Sequence, residues 1–455
     1  GLTMSQGICH YTLSLTAPLR LLRRPLVPAK SASLPLLHAA AARHGRGGYS
    51  SLPVAVVVAQ HMGEEGDALC QHEGHPVFVR GALPSELVSA RQLSPRDKFR
   101  WSVDNVLEAS PHRLAPPCPH RVAGCGGCTW MHYDVTAQRK EKVAIIQRAL
   151  QRIGGMSKAQ SEQTVRKGGG VSPLGYRTTV KLVGAEGGVP AYRKEGGKGV
   201  VPLRECPAAH PSLSALLPLL RVAKGMEITL RLSASTGELS ALYDAKGGRA
   251  GKVAVSGLPQ SARRGPHAFI DEWVHGALLR VSASSFFQSS ARAAELLVES
   301  VSRLLPDLSS IEHAVDAYSG VGLFASSLLQ RVRHLTLLEG NESSCRDAAY
   351  NLRRHKSVTI VCGDVCDWRP SPSLPPVGLV IADPSRAGLG PKSAQVLAAT
   401  NTPILILISC SAVGLGRDMK VLEGIGYRLE QSEVIDVFPQ THHVEVVSRF
   451  VKEQE

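Results

Sequence analysis

Five apolar runs, His313 to Tyr318, Leu335 to Glu339, Val358 to Cys362, Gly378 to Asp383 and Ile404 to Cys410, alternate with helix-length stretches of mixed character. Strands that alternate with helices in this way pair side by side in one direction, and their connecting helices cover both faces. Residues 291–455 are therefore expected to form an α/β domain of the Rossmann-like kind.

With 455 residues the chain exceeds one ordinary core and is read as three domains behind a leader. Residues 1–50 contain Arg20, Arg23, Arg24, Lys30, Arg43 and Arg46 and no acidic residue, the first being Glu64. That composition suits a mitochondrial transit peptide, with a disordered basic arm as the alternative, so the expected location is the mitochondrial matrix. Of the net charge of +14, about +8 remains outside the leader. Such a surface either attracts an RNA backbone or simply aids solubility. No apolar run approaches the roughly 18 residues that span a bilayer, and no membrane role is expected.

Short apolar runs such as Val54 to Ala59 and Val77 to Val79, broken by Gly, His and Pro, read as a small all-β unit over 51–115. Asp134 to Gly154 reads as a helix: Asp134 caps it, Val143, Ile146, Leu150 and Ile153 share one face, and Gly154 ends it. Arg139, Lys140, Lys142, Arg148 and Arg152 are expected on the other side, as a solvated face or an RNA contact. Residues 116–290 mix strand-like runs (Thr178 to Val183, Ile228 to Leu232, Leu239 to Tyr243) with Gly-rich turns and are expected to form a central α/β domain.

The first strand of the parallel sheet runs into Asp316-Ala-Tyr-Ser-Gly-Val-Gly322 and then a helix from Leu323. Gly320 and Gly322 permit a tight turn and a close approach to a ligand at the strand's carboxyl end. Glu339 ends the next strand, placed to accept from ribose hydroxyls, and Asp364 follows the third. A dinucleotide is the alternative ligand, but Ala325 stands where the third glycine of its fingerprint belongs, so the turn points to S-adenosylmethionine.

The fourth strand ends in Asp383-Pro-Ser-Arg-Ala-Gly-Leu389, the fifth in Ser409-Cys410-Ser411, and a last motif runs Asp436-Val-Phe-Pro-Gln-Thr-His-His-Val-Glu445. With Ser285-Phe-Phe-Gln288 and a four-cysteine set, these motifs in this order resemble the RNA uracil-C5 methyltransferases. The resemblance covers nearly everything after the leader. It implies that the amino-terminal unit is an OB-like (TRAM-type) RNA-binding barrel and that the sheet binds S-adenosylmethionine.

Uracil C5 is a poor nucleophile, so this reaction needs a thiolate that adds to C6 and a base that later removes the C5 proton. Cys410 ends a strand just before a helix, where a helix amino terminus would favour its thiolate. The resemblance assigns Cys410 as nucleophile and Glu445 as base. It places Gln288, Tyr318, Glu339 and Asp383 around the cofactor, with Asp364 a further carry-over. Arg386 is read either as a phosphate partner or as a brace for its loop. A target uridine would have to be unpaired or flipped out of its stack.

Cys118, Cys125, Cys128 and Cys206 form a second constellation, and four thiolates suit an iron–sulfur cluster or zinc. The resemblance favours a 4Fe-4S cluster over zinc, as a staple for the central domain. Cys9, Cys70, Cys345, Cys362 and Cys366 are expected to carry no catalytic chemistry. The chain departs from the family pattern at Ser411-Ala412, at Ser385, at Ser290 and at Leu323, while both catalytic side chains are kept. A binding protein that keeps the fold, such as a ribosome-assembly factor, is therefore the main alternative. Cytosine-C5 chemistry is a lesser one, since no cysteine stands in Asp383-Pro-Ser-Arg386. The expected partner is structured ribosomal or transfer RNA, with a mitochondrial ribosomal particle as one setting, and no obligate homo-oligomer is expected.

Overall fold

In–out alternation over the first seven residues of β1 (Val54–Met62), where Val57 and Ala59 point inward and Val56 and Val58 outward, marks one wall of a closed barrel. This computed structural model describes residues 52–244, 254–305 and 311–453, so the expected leader and Cys9 lie outside the described residues. The barrel is completed by β2 (Ala68–His72), β3 (His75–Arg80), β4 (Leu87–Ser94) and β5 (Asp97–Glu108), in the order β1-β2-β3-β5-β4. It matches the expected all-β unit.

After the barrel come α1 (Pro119–Val122) and α2 (Val135–Ala149). Asp134 caps α2 as expected, its carboxylate accepting from the amides of Thr136 and Ala137. The helix ends one residue later than expected, in a π turn over Leu150–Gly154 closed by Gly155 at φ 87°. Its cationic side is not the expected solvated face. Lys142 is wholly buried, Arg139 and Lys142 both pair with Asp436, Arg148 pairs with Glu141, and Arg152 with Glu64. Lys140 and Arg152 stay exposed. The physical reason is that the helix is packed on more than one side, so Arg139, Lys142 and Arg148 meet protein carboxylates.

The central stretch continues with α3 (Lys158–Thr164), β6 (Val165–Gly170), β7 (Thr179–Gly184), β8 (Pro190–Arg193), β9 (Val200–Pro202) and α4 (Pro211–Leu216). Then follow β10 (Arg221–Val222), β11 (Glu227–Leu232), β12 (Leu239–Tyr243), β13 (Val255–Ser256), β14 (Arg263–Arg264), β15 (Phe269–Val274) and β16 (Ala277–Ser282). One sheet runs β14-β12-β11-β7-β8-β9; β10 pairs with β13, and β15 with β16 as a hairpin.

The carboxyl-terminal part alternates α5 (Ala291–Leu304), β17 (His313–Ala317), α6 (Leu323–Leu328), β18 (His334–Glu339), α7 (Glu342–Asn351), β19 (Val358–Cys362), β20 (Val377–Ala382), α8 (Gly390–Ala398), β21 (Ile404–Ser409), α9 (Ala412–Glu423), β22 (Tyr427–Asp436) and β23 (Glu445–Lys452). Every expected strand is present within a residue of its expected ends. The sheet order is β19-β18-β17-β20-β21-β23-β22-β6, parallel from β19 to β21 and antiparallel at β23.

Helices α2, α8 and α9 bury one face of this sheet through Ile145, Leu397 and Leu415. Helices α5, α6 and α7 bury the other through Leu297, Phe324 and Ala348. A boundary at 290 does not separate this sheet from the central stretch, because β6 pairs parallel to β22 at its edge. Among the described residues no helix is long and apolar enough to cross a membrane.

Candidate active site

Parallel strands end at one edge, and there the loops after β17, β18, β20 and β21 open a cavity of about 760 Å³. Ligand sites of open α/β sheets lie at this edge. Gln288, Tyr318, Gly320, Glu339, Asp383, Cys410 and Glu445 all line it, together with Arg386. Two expected cofactor residues do not. Gly322 starts α6 at φ 86° with its α-carbon packed towards Leu352, so its part is to shape the turn. Asp364 is exposed and accepts from the Cys366 amide, capping the short turn Val365–Asp367.

The turn after β17 is held from the next strand. One Glu339 oxygen accepts from the Gly320 amide at 2.8 Å and the other from the Asn341 amide at 2.7 Å. Both turns are thus tied to one carboxylate, whose remaining lone pairs suit hydroxyl donors. Tyr318 sits at φ 60°, a left-handed conformation a bulky residue rarely takes, with its hydroxyl donating to Ser393 at 2.9 Å. Gln288, just before α5, donates to the Asp383 carboxylate at 3.5 Å.

Cys410 leaves β21, and Ser411 caps α9 by accepting from the Gly414 amide. Glu445 opens β23, and the loop before it is clamped by α2. Lys142 donates to Asp436 at 2.7 Å and to the Phe438 carbonyl at 2.9 Å. The Gln138 side chain donates to that of Gln440 and accepts from the Gln440 amide, and the Trp130 amide donates to the Gln440 carbonyl. Gln440 itself sits at φ 65°. The clamp therefore supports a strained loop that leads straight to Glu445.

Burial dominates the electrostatics. It pushes Asp383 up to about 7 and Glu445 well above the usual carboxylate range, the Asp383 charge adding to the latter and Arg386 opposing it. Asp316, behind the cavity, is pushed up to about 8 by burial, and its Oδ1 has no hydrogen-bond partner. Such a concentration of poorly compensated carboxyl groups suits a cationic ligand such as a sulfonium. Cys410 rises to about 11, first through burial and then through the charges of Glu445 and Asp383, with Arg386 pulling the other way. The expected thiolate stabilisation by a helix amino terminus is thus outweighed.

Residues the motifs did not reveal also shape the cavity. Phe286 lines it while 70% exposed, an aromatic face turned to solvent inside the Ser285-Phe-Phe-Gln288 motif. Arg231 on β11, almost fully buried, donates to the carbonyls of Ser282 and Ser285 and so holds the loop bearing Phe286 and Gln288. A lone arginine in a strand gave no signal in the sequence. Arg386 donates to the His443 ring at 3.1 Å, which favours the brace over a free phosphate partner.

Cys118, Cys125, Cys128 and Cys206 are free thiols gathered within electrostatic range of one another. Among the described residues, however, no group of three or more His, Cys, Asp or Glu is placed to hold a metal ion, so this geometry supports neither the expected cluster nor zinc. Among the described residues Cys70, Cys345, Cys362 and Cys366 do not line the cavity, and Cys345 and Cys362 are disulfide-bonded to each other.

No family model matches the chain. It is 33% identical over 404 residues to an uncharacterised RNA methyltransferase of Streptomyces avermitilis, covering 83% of this chain and 93% of the relative. It is 27% identical over 419 residues to the 23S rRNA (uracil(1939)-C(5))-methyltransferase of Pectobacterium atrosepticum, covering 85% of this chain and 91% of that one. The solved Pyrococcus abyssi tRNA (uracil-54, C5)-methyltransferase, in complex with S-adenosyl-L-homocysteine, superposes with a TM-score of 0.66 at 22% identity, over 87% of this chain and 99% of that one, and so shares the fold. With the strand order, the cavity at the carboxyl edge and these relatives together, the chain belongs to the RNA methyltransferase family that includes the bacterial 23S rRNA uracil-C5 methyltransferases.

Proposed function

We propose that this protein methylates C5 of a flipped-out uridine in structured ribosomal or transfer RNA, with Cys410 as nucleophile and Glu445 as base. The observation that carries this is that both side chains line one cavity within electrostatic reach of each other, together with Asp383 and Gln288. S-adenosylmethionine, when bound, supplies an electrophilic methyl group. The Cys410 thiolate adds to C6, forming an S–C bond and moving the ring electrons towards C5 and O4. After C5 is methylated, Glu445 takes the C5 proton, the ring electrons re-form the C5–C6 double bond, and the S–C bond breaks to return the thiolate. Phe286 offers its exposed face for stacking at the mouth. Incubating the protein with unmodified ribosomal and transfer RNA and S-adenosylmethionine tests the reading. 5-Methyluridine in the digested RNA is expected, and its absence from every RNA tried, with cofactor bound, rejects it.

Glu339→Ala should weaken S-adenosylhomocysteine binding on the order of 10- to 100-fold, because two charge-assisted hydrogen bonds that shape the cofactor turn are lost. Calorimetric titration measures this, and an unchanged affinity would contradict the role given to that carboxylate.

Since the Cys410 thiol is raised to about 11, the reactive thiolate is scarce at neutral pH and grows with pH. Glu445 is raised too, and its proton-accepting form also grows with pH. Between roughly pH 7 and 9, kcat/KM should therefore climb by up to about tenfold per unit. A profile that falls across this range would contradict the assignment.

The same proposal includes a 4Fe-4S cluster on Cys118, Cys125, Cys128 and Cys206, a group wider than one ion. What supports it is four free thiols in mutual electrostatic reach. Iron and sulfide analysis of anaerobically purified protein checks it, with four of each expected per chain.

A further inference from the structure

Away from the cavity, the β15–β16 hairpin and the end of α7 carry a continuous chain of guanidinium groups and aromatic rings. Arg263 lies 4.0 Å from the Phe269 ring centroid and Arg280 lies 4.1 Å from it. Arg280 is also 3.6 Å from the Tyr350 centroid, and Arg353 is 3.8 Å from that ring. Three like charges are thus strung through two rings. Glu238 pairs with Arg263 at one end, and Asp271 stands across the hairpin from Arg280. The central Arg280 is held chiefly by the two rings, and its Nε is buried without a hydrogen-bond partner. Beyond Tyr350 the exposed run Arg353-Arg354-His355-Lys356 extends the positive surface, and Arg264 extends it beside Arg263.

Stacking on a ring fixes the plane of a guanidinium. Arg263 donates its N–H groups to Glu238 and the Phe269 carbonyl and Arg353 one of its own to the Tyr350 carbonyl, so the exposed donors are the rest of Arg353, with Arg354 and Lys356. Planar donors held in a row match an anion with many oxygens and repeated charges, which is a nucleic-acid backbone. The stack also connects to the cavity. Strand β16 runs from Arg280 into the wall at Ser284 to Gln288. Helix α7 begins beside Asn341 and Ser344 of the same lining, with Ser343 bonded to Ser284 and Ser285, and ends at Tyr350 and Asn351, about 15 Å away for ten residues. An RNA whose uridine enters the cavity would have flanking phosphates within reach of this face.

We infer that the Arg263–Phe269–Arg280–Tyr350–Arg353 stack, with Arg354 and Lys356, is a docking surface for the phosphate backbone of the RNA substrate. The inference rests on the proposed RNA methylation, yet it is read separately from it. In the triple variant Arg353→Gln, Arg354→Gln, Lys356→Gln, the exposed positions should leave folding intact. For an unmodified ribosomal RNA transcript, the slope of log affinity against log salt should become shallower by about 2 units, at roughly 0.7–0.9 per lost phosphate contact. KM for RNA should rise about tenfold or more, while kcat at saturating RNA and S-adenosylhomocysteine affinity stay as in the wild type.

An unchanged slope and unchanged KM overturn the inference, as does retained RNA binding with loss only of a protein partner. Arg280→Lys keeps the charge and removes the planar stack. It should also weaken binding, and wild-type affinity in that variant overturns the part given to stacking. The salt slope reads RNA binding without turnover, so the surface can succeed or fail independently of the methylation reading.

Discussion

Cys410→Ala should abolish methyl transfer, lowering kcat by about 10⁴-fold or more, while S-adenosylhomocysteine binds within a few fold of wild type. The size of the loss follows from removing the nucleophile of a covalent mechanism, for which no neighbouring group can substitute. Cys366, another thiol on this domain, is absent from the cavity lining and contacts Ser393 instead. Cofactor binding should survive because the groups placed for it, Glu339, Asp383 and Gln288, are anchored by their own hydrogen bonds rather than by the sulfur. Single-turnover assays with labelled cofactor measure the loss. Turnover within tenfold of wild type would mean that the protein methylates by direct attack from its target, without a cysteine adduct.

The largest stability effect is expected away from the chemistry, at Lys142. Its ammonium is fully buried, pulled down in pKa by that burial and held up by the Asp436 carboxylate 2.7 Å away. Replacing it with methionine leaves a buried carboxylate with Arg139 as its remaining ion-pair partner and frees the Phe438 carbonyl. Breaking one side of such a pair costs about 3–5 kcal/mol. Urea unfolding should show that loss, and methyl transfer should fall as well, because the 436–445 loop carries Glu445. The double variant Lys142→Met, Asp436→Leu should recover part of the stability, since the buried carboxylate goes with its partner and Arg139, a quarter exposed, keeps the Val171 carbonyl. A single variant within about 1 kcal/mol of wild type would contradict the clamp.

Much of the sheet is legible from local pattern alone, because a strand buried on both faces reads as a mostly apolar run, as β17, β18, β20 and β21 do, while the edge strand β19 is only part-buried. The site is legible in part for the same reason: residues that end such strands share an edge, so Glu339, Asp383 and Cys410 meet whatever the loops do. Other features depend on partners remote in sequence. Val165–Gly170, half glycine, has little strand preference of its own and becomes an edge strand because β22 offers it a ladder.

Lys142 looked like one more cation on a polar helix face, since the carboxylate that buries it is 294 residues away. The raised thiol of Cys410 depends on burial and on the charges of Glu445 and Asp383, brought close by the fold and outweighing the local helix end. The arginine stack joins residues from β14, β15, β16 and α7, none of which is a motif by itself.

Crosslinking tests the covalent account most directly. In RNA carrying 5-fluorouridine the target C5 has fluorine in place of the proton that Glu445 would remove, so the bond from sulfur to C6 cannot be released after methylation. With S-adenosylmethionine present, the protein should form a denaturation-resistant complex with such an RNA, and peptide mass analysis should place the modified nucleotide on Cys410. Efficient methylation of the natural RNA with no adduct on the fluorinated one, or an adduct on any other residue, would contradict it.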